Sequence, residues 1–196
     1  TFTIISCVAP LVHIGAKPVF IDSDPLTFNM NVDQIEDKIT SRTKAIMAVH
    51  IYGLPVDMDP FLRIANKYGL KVIEDAAEAH GLHYKGSMCG SFGDISTFSF
   101  YPNKLITTGE GGMLVTDDDE IAERCRSLRN LCFQSKKRFF HEELGWNFRM
   151  TNIQAALGLA QIERLDNFIN KKRSIGQKYT DLLGGLKNIQ LPLERT

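Results

Sequence analysis

The sequence predicts an α/β protein, a sheet with helices on both of its faces. Three observations carry that expectation. Short apolar, β-branched runs alternate with stretches whose apolar residues recur at three and four, so strand and helix signals take turns along the chain. Turn chemistry separates them, as at Asp22-Ser23-Asp24-Pro25 and at Gly69. A chain of 196 residues, 43% hydrophobic and 23% charged, is also long enough to bury one good core.

Residues 2–5 are expected as a strand and 6–14 as a helix. KPVFID (17–22) reads as a short buried strand, ended by the turn at Asp22 to Pro25. Asp33 to Thr40 is expected as a short helix capped from Asn31. KAIMAVH (44–50) is the next strand, left through a loop at Tyr52-Gly53-Leu54-Pro55. Met58 to Tyr68 is a helix with Gly69 as its stop. LKVIEDA (70–76) is then a strand that ends on two acids.

After Ala77 the alternation breaks. Residues 81–94 carry Gly81, Gly86, Gly90 and Gly93, which predicts an irregular loop with a short hairpin. DISTFSF (94–100) and GGMLVTD (111–117) are strands, and a helix from Asp118 to Asn130 begins with acids at its positive dipole end. From Thr151, apolar residues at 153, 156, 157, 160, 168, 169, 175, 179 and 182 predict one long amphipathic helix, ended by Gly184-Gly185.

The chemistry concentrates between Val72 and Gly112. VIEDAAEAHG is followed by FGDISTFSFYPNK and then TTGEGG. An Asp at a strand end, a Ser five residues before a Lys and a Gly-rich return suit a site for pyridoxal 5′-phosphate. Lys104 has the amine that forms a Schiff base with an aldehyde. Asp75 can pair with a protonated ring nitrogen and keep the ring an electron sink. Ser99 can donate to a phosphate. Read without their surroundings, Lys104 is a solvated surface charge, Asp75 a helix N-cap and Ser99 an ordinary strand serine.

These motifs resemble those of a known family, the pyridoxal phosphate-dependent sugar-nucleotide aminotransferases of the DegT/StrS type, within the fold-type I aminotransferases. The likeness runs through FTIIS, GAKPVFID, SRTKAIMAVHIYG, the core above and GWNFRMTNIQAALGLAQIERL. The pattern is similar to the GDP-perosamine synthase subgroup, whose members carry EDxAEAHG, FSFxxNKxITTGEGGM and RMTNI in this order. The resemblance implies the large domain of that fold, a mostly parallel sheet of the seven-stranded type flanked by helices and incomplete here at both ends. Residues 1–150 would form part of this cofactor-binding domain, and 151–196 a helix leading towards a small C-terminal domain. Upstream, family members place a turn whose backbone amides hold the cofactor phosphate, so the chain is expected to be the central part of a longer enzyme.

The resemblance also assigns roles. Lys104 would hold the cofactor and shuttle the proton, with Asp75 on the ring nitrogen. Glu78 would lie near the ring hydroxyl, Ala77 flat against the ring and Ser99 on the phosphate. Asn147 would reach the phosphate of a partner subunit, which implies a homodimer with a shared active site. Arg149 would support that loop, and Glu110 would anchor the Gly109–Gly112 turn; by strand alternation, and not by the resemblance, Glu74 points to the other side from Asp75 and reads as structural. His80 reads as a packed, hydrogen-bonded core histidine and stays outside the catalytic set. Ile4 stands where many relatives stack an aromatic on the ring, so dispersion alone would cap it.

The implied reaction moves an amino group from L-glutamate to a nucleotide-linked 4-keto-6-deoxy sugar. A sugar dehydratase on the same scaffold carries His in place of Lys104, so the lysine favours transamination. A non-catalytic regulatory paralogue would tolerate loss of Asp75, Ser99 or Lys104, and all three are intact.

Charge and cysteines bound the remaining classes. Lys+Arg and Asp+Glu are both 23, without the basic excess of a nucleic-acid binder. Ser-Lys-Lys-Arg at 135–138 is read as a solvated loop or a patch facing nucleotide phosphates. No apolar run approaches a membrane span, and no signal peptide is expected at Thr1. Cys7, Cys89, Cys125 and Cys132 form no CxxC pair and read as the reduced thiols of a cytoplasmic protein. No metal site is expected.

Overall fold

The structure is a computed structural model and describes residues 2–134, 137 and 139–193. Its centre is a four-stranded sheet in the order β1-β2-β5-β6, formed by β1 (Ala45–Val49), β2 (Lys71–Asp75), β5 (Ile95–Ser99) and β6 (Gly112–Val115). The first three are parallel and β6 returns antiparallel. The α/β class and the mainly parallel sheet are those expected, with four strands of the sheet among the described residues.

Helix α2 (Met58–Tyr68) connects β1 to β2 and covers one face of them. It buries Met58, Phe61 and Ala65 against Val32, Ile35, Ala48 and Val72. Spacing of three and four puts those side chains on one stripe. Gly69 ends the helix in the left-handed conformation, its N–H bonded back to the last turn. Between β2 and β5 no helix forms. Instead the chain makes the small hairpin β3 (His83–Tyr84) and β4 (Ser87–Met88). Helix α3 (Asp119–Arg129) starts where the Asp118 carboxylate accepts from the N–H groups of Glu120 and Ile121.

Several expectations need correction. Residues 2–5 form no strand; a 3₁₀ turn at Ile5–Cys7 leads into a short α1 (Ala9–His13), with Pro10 at its start. Residues 17–22 form no strand either, and Val19 and Phe20 are largely exposed. A β-rich run becomes a strand only where a neighbour supplies the ladder. This run instead lines an apolar cavity of about 580 Å³ beside β1. The Asp33–Thr40 helix is two 3₁₀ turns, Val32–Gln34 and Glu36–Lys38, although Asn31 caps the first as expected.

The long C-terminal helix is two helices, α4 (Asn152–Ile162) and α5 (Leu165–Leu183). The apolar stripe of α4 would next fall at residue 164, which is Arg164. There the backbone leaves helical geometry, and the guanidinium lies 5.6 Å over the Phe168 ring. Beyond the break, Leu165 and Ile169 lie close over Gly81, where an added Cβ would clash with Ile169 Cδ1. No helix among the described residues is long and apolar enough to cross a membrane.

Candidate active site

The site is built where the parallel strands end. β2 and β5 are neighbours with Asp75 opposite Thr97, so Asp75 and Ser99 lie at adjacent carboxyl ends, the place where parallel sheets bind ligands. Alternation along β2 sends its two consecutive acids to opposite faces.

Glu74 is fully buried and belongs to the fold. One oxygen accepts from the N–H groups of Phe92 and Gly93 and from the Ser96 hydroxyl. The other accepts from Gly90 N–H at 2.7 Å and faces His50 Nε2 at 3.0 Å. The Nδ1 of His50 accepts from Val56 N–H at 3.2 Å, which puts the ring proton on Nε2, towards Glu74. Burial acts to raise the Glu74 pKa, but the His50 bond and the three backbone N–H groups outweigh it and hold the carboxyl below its ordinary range. Gly93 is required here, since a Cβ would come within 2.9 Å of the Val72 carbonyl oxygen. Glu74 is thus structural, as expected.

Asp75 faces the other way and is only half-buried. Its Oδ1 accepts from Ala77 N–H at 3.0 Å and its Oδ2 from the Cys7 thiol at 2.9 Å. A carboxylate has about four acceptor sites, so Asp75 keeps capacity for a further donor.

Lys104 and Glu78 meet at this end of the sheet, after β5 and β2. Lys104 comes after β5 in a turn closed by its own N–H to the Tyr101 carbonyl. Its Nζ lies 3.0 Å from Glu78 Oε1, and the two side chains are 16% and 29% exposed. The other Glu78 oxygen accepts from Tyr52 N–H at 2.9 Å. Tyr52 and Gly53 both have positive φ between the hydrogen-bonded Ile51 and Leu54, a tight turn that aims this N–H at Glu78. Ser99 Oγ accepts from Tyr101 N–H at 3.2 Å and so caps the lysine turn, which leaves its own proton to donate elsewhere.

Helix α4 secures the segment on the C-terminal side of the lysine. Gln161 donates from Nε2 to the Thr107 carbonyl at 2.7 Å and accepts Thr107 N–H on Oε1 at 3.1 Å. Glu110 anchors its turn through its backbone carbonyl, which accepts from Thr108 Oγ1 and Gln154 Nε2. His80 is packed between Phe98 and Phe100, as expected of a core histidine. Its Nε2 is buried without a hydrogen-bond partner. Burial lowers its pKa, with the Ser99 carbonyl opposing and the Lys104 charge reinforcing the shift, so the ring is held neutral.

The structure therefore brings Asp75, Ala77, Glu78, Ser99 and Lys104 to one end of the sheet. It leaves Asn147 outside that group. Asn147 is exposed, bridges Asn130 and accepts from Arg149 Nε at 2.8 Å. Arg149 also reaches the Asn130 side chain and supports this loop. Ile4 is 66% exposed. Of the basic run at 135–138, Ser135, Lys136 and Arg138 lie outside the described residues. Sequence reasoning missed Cys7, His50 and Gln161 as supports, because nothing local marks a residue whose partner is far along the chain. Among the described residues there is no group of three or more potential metal ligands.

The donor set suits pyridoxal phosphate. It offers a tethered primary amine, a carboxylate with spare acceptor capacity, a hydroxyl with a proton to donate and a small side chain at residue 77.

Residues 1–195 match the DegT/DnrJ/EryC1/StrS aminotransferase family. GDP-perosamine synthase of Escherichia coli O157:H7 is 49% identical over 189 residues, covering 96% of this chain and 52% of that protein. The GDP-perosamine synthase of Caulobacter vibrioides is 48% identical over 188 residues, 96% of this chain and 51% of that one. The chain thus spans about half the length of the curated relatives it matches. Among solved structures, DesV of S. venezuelae superimposes with a TM-score of 0.92 at 37% identity, covering 99% of this chain and 52% of that one. The dehydratase ColD with bound GDP-perosamine gives 0.91 at 25% identity, with 98% and 54% covered. This chain belongs to the DegT/DnrJ/EryC1/StrS aminotransferase family.

Proposed function

We propose that the chain is the cofactor-holding part of a cytoplasmic, pyridoxal 5′-phosphate-dependent aminotransferase. It moves an amino group from L-glutamate to a nucleotide-linked 4-keto-6-deoxy sugar. The observation that carries this reading is the placement of Asp75 and Lys104 at the carboxyl end of the parallel strands, Asp75 held by Ala77 N–H and the Cys7 thiol and Lys104 by Glu78. Residues 1–150 form part of the cofactor-binding domain, and 151–196 lead from it towards a small C-terminal domain.

When bound, pyridoxal phosphate supplies an aldehyde that takes up amines and a cationic ring that draws electrons from the bond being broken. Asp75, its orientation fixed by Ala77 N–H, would hold the cofactor at its ring nitrogen and keep a proton there. Lys104 Nζ would hold the cofactor through its amine and would move the proton at the α-carbon of the bound amine. Glu78 keeps that nitrogen directed into the site through the 3.0 Å pair. The Ser99 hydroxyl would hold the phosphate, and the small Ala77 side chain would leave room for the ring. Asn147, exposed and outside its own chain's group, serves the phosphate of a second subunit, so the enzyme is a homodimer with shared sites.

GDP-4-keto-6-deoxymannose is the first substrate to try, because relatives at 44–49% identity are GDP-perosamine synthases. A UDP- or dTDP-linked keto sugar is the next. The dehydratase reading rests on the likeness to ColD, and Lys104 argues against it. The full-length protein, given L-glutamate and a panel of such keto sugars, should yield an amino-sugar nucleotide by mass. Borohydride should fix the cofactor on Lys104. Loss of water from the sugar without amine transfer, or labelling of another lysine, overturns the reading.

A further inference from the structure

We infer that Cys7 is a positioning residue for the cofactor-binding carboxylate, holding Asp75 through a thiol hydrogen bond that reaches it from the 3₁₀ turn at Ile5–Cys7. The inference rests on the assignment of Asp75 to the ring nitrogen.

The geometry is specific. Cys7 is 7% exposed, and its Sγ lies 2.9 Å from Asp75 Oδ2 across 68 positions of sequence. On the far side, Thr3 Oγ1 is 3.3 Å from the same sulfur. An ionised carboxylate only accepts, so the thiol proton points at Asp75. The Thr3 hydroxyl then donates to sulfur, making a relay Thr3–Cys7–Asp75. Burial, with Asp75 adding to it, pushes the Cys7 thiol up to about 12, so the proton stays on sulfur at neutral pH.

The thiol affects Asp75 in two ways. With Ala77 N–H on Oδ1 and the thiol on Oδ2, both carboxylate oxygens are anchored, and the plane of the group is fixed. The second anchor is also a weak donor. It withdraws less charge from the carboxylate than a charged or strongly polar donor would, and leaves that charge for a cationic ring N–H. Nothing in this arrangement requires Cys7 to react.

The test is a double-mutant cycle read as the dissociation constant for pyridoxal phosphate, measured by fluorescence on the full-length apo protein. Cys7→Ala should weaken cofactor binding roughly fivefold, the scale of one modest hydrogen bond. In an Asp75→Ala background the same change should alter binding by less than about twofold, because the residue through which Cys7 acts is gone. Cys7→Ser, which keeps a donor, should return binding to within about twofold of the native protein. An equal effect in both backgrounds, or a serine variant as weak as the alanine one, overturns the inference and leaves Cys7 as packing. If Cys7→Ala does not fold, Cys7→Val fills the space without a donor and replaces it in the cycle. Should Asp75→Ala itself leave cofactor binding unchanged, the ring-nitrogen assignment falls, and this inference falls with it.

Discussion

Glu74 and Asp75 are adjacent in the chain and opposite in fate. Glu74 is fully buried and has five hydrogen-bond partners across its two oxygens. Asp75 is half-buried and has two. The first carboxylate is saturated by its own protein and fastens the 90–96 segment under β2. The second is held in place but left unsaturated. A carboxylate whose acceptor sites are filled by the fold has nothing left for a ligand, and one with sites to spare at a strand's carboxyl end has been kept for something else.

The sharpest break on the Asp75 side is Lys104→Ala. Removing the attachment point and the proton carrier together should lower turnover by at least about a thousandfold. Single-turnover measurements with L-glutamate would show it, while thermal stability should change little, because the lost ion pair is partly exposed. Turnover within tenfold of the native protein would mean that another amine does the work.

Glu74→Gln breaks the other side. It places an amide against three backbone N–H groups and His50, so about 3 kcal/mol of stability should go, on the scale of opening a buried polar network. The pH dependence should change with it. The folded state holds the Glu74 carboxyl below its ordinary range, so it binds that proton less readily than the unfolded chain does. Its contribution is therefore complete above the unfolded value and disappears as pH falls through the folded one. Urea melts of both proteins at descending pH should converge on the acid side. Parallel curves would show that Glu74 does not set the acid limb.

Asp75→Asn keeps the shape and the Cys7 acceptor but removes the charge. The half-reaction with glutamate should slow about 10- to 100-fold, the worth of a charge-assisted bond. Melting should stay near native, in contrast to Glu74→Gln. A variant that melts early and reacts normally would reverse the roles given to the two acids.

The contrast was partly legible in the sequence. Alternation along VIED puts the two acids on opposite faces, and the motif around Lys104 pointed to Asp75, Glu78 and Ser99 as its companions. Helix α2 was legible residue by residue, because its stripe and Gly69 are local signals. The two missed strands and the missed supports share a cause. Residues 2–5 and 17–22 look like strands, but a strand depends on a neighbour that no local pattern reveals. Cys7 meets Asp75 from 68 positions away, and Gln161 meets Thr107 from 54, so neither support has a signature nearby. The break in the C-terminal helix was the exception. The arrival of Arg164 on the apolar stripe was visible, and the longer periodicity obscured it.

Gln161 gives the smallest effect and the finest distinction. Its amide holds both backbone groups of Thr107, tying α4 to the segment just beyond the lysine turn, and its Nε2 also touches the Leu157 carbonyl at 2.7 Å. Gln161→Ala should cost about 1 kcal/mol of stability and lower turnover only a few-fold, since the lysine keeps its Glu78 tether. Gln161→Glu separates clamp from packing. It keeps the acceptor for Thr107 N–H, but sets a carboxylate oxygen against the carbonyls of Thr107 and Leu157, so an attraction becomes a repulsion. If the clamp matters, the glutamate variant should lose more than the alanine variant, despite the closer match in size. Hydrogen exchange at the Thr107 and Thr108 amides should rise in the same order. If the two variants behave alike and exchange there is unchanged, α4 only packs against the lysine segment and does not hold it.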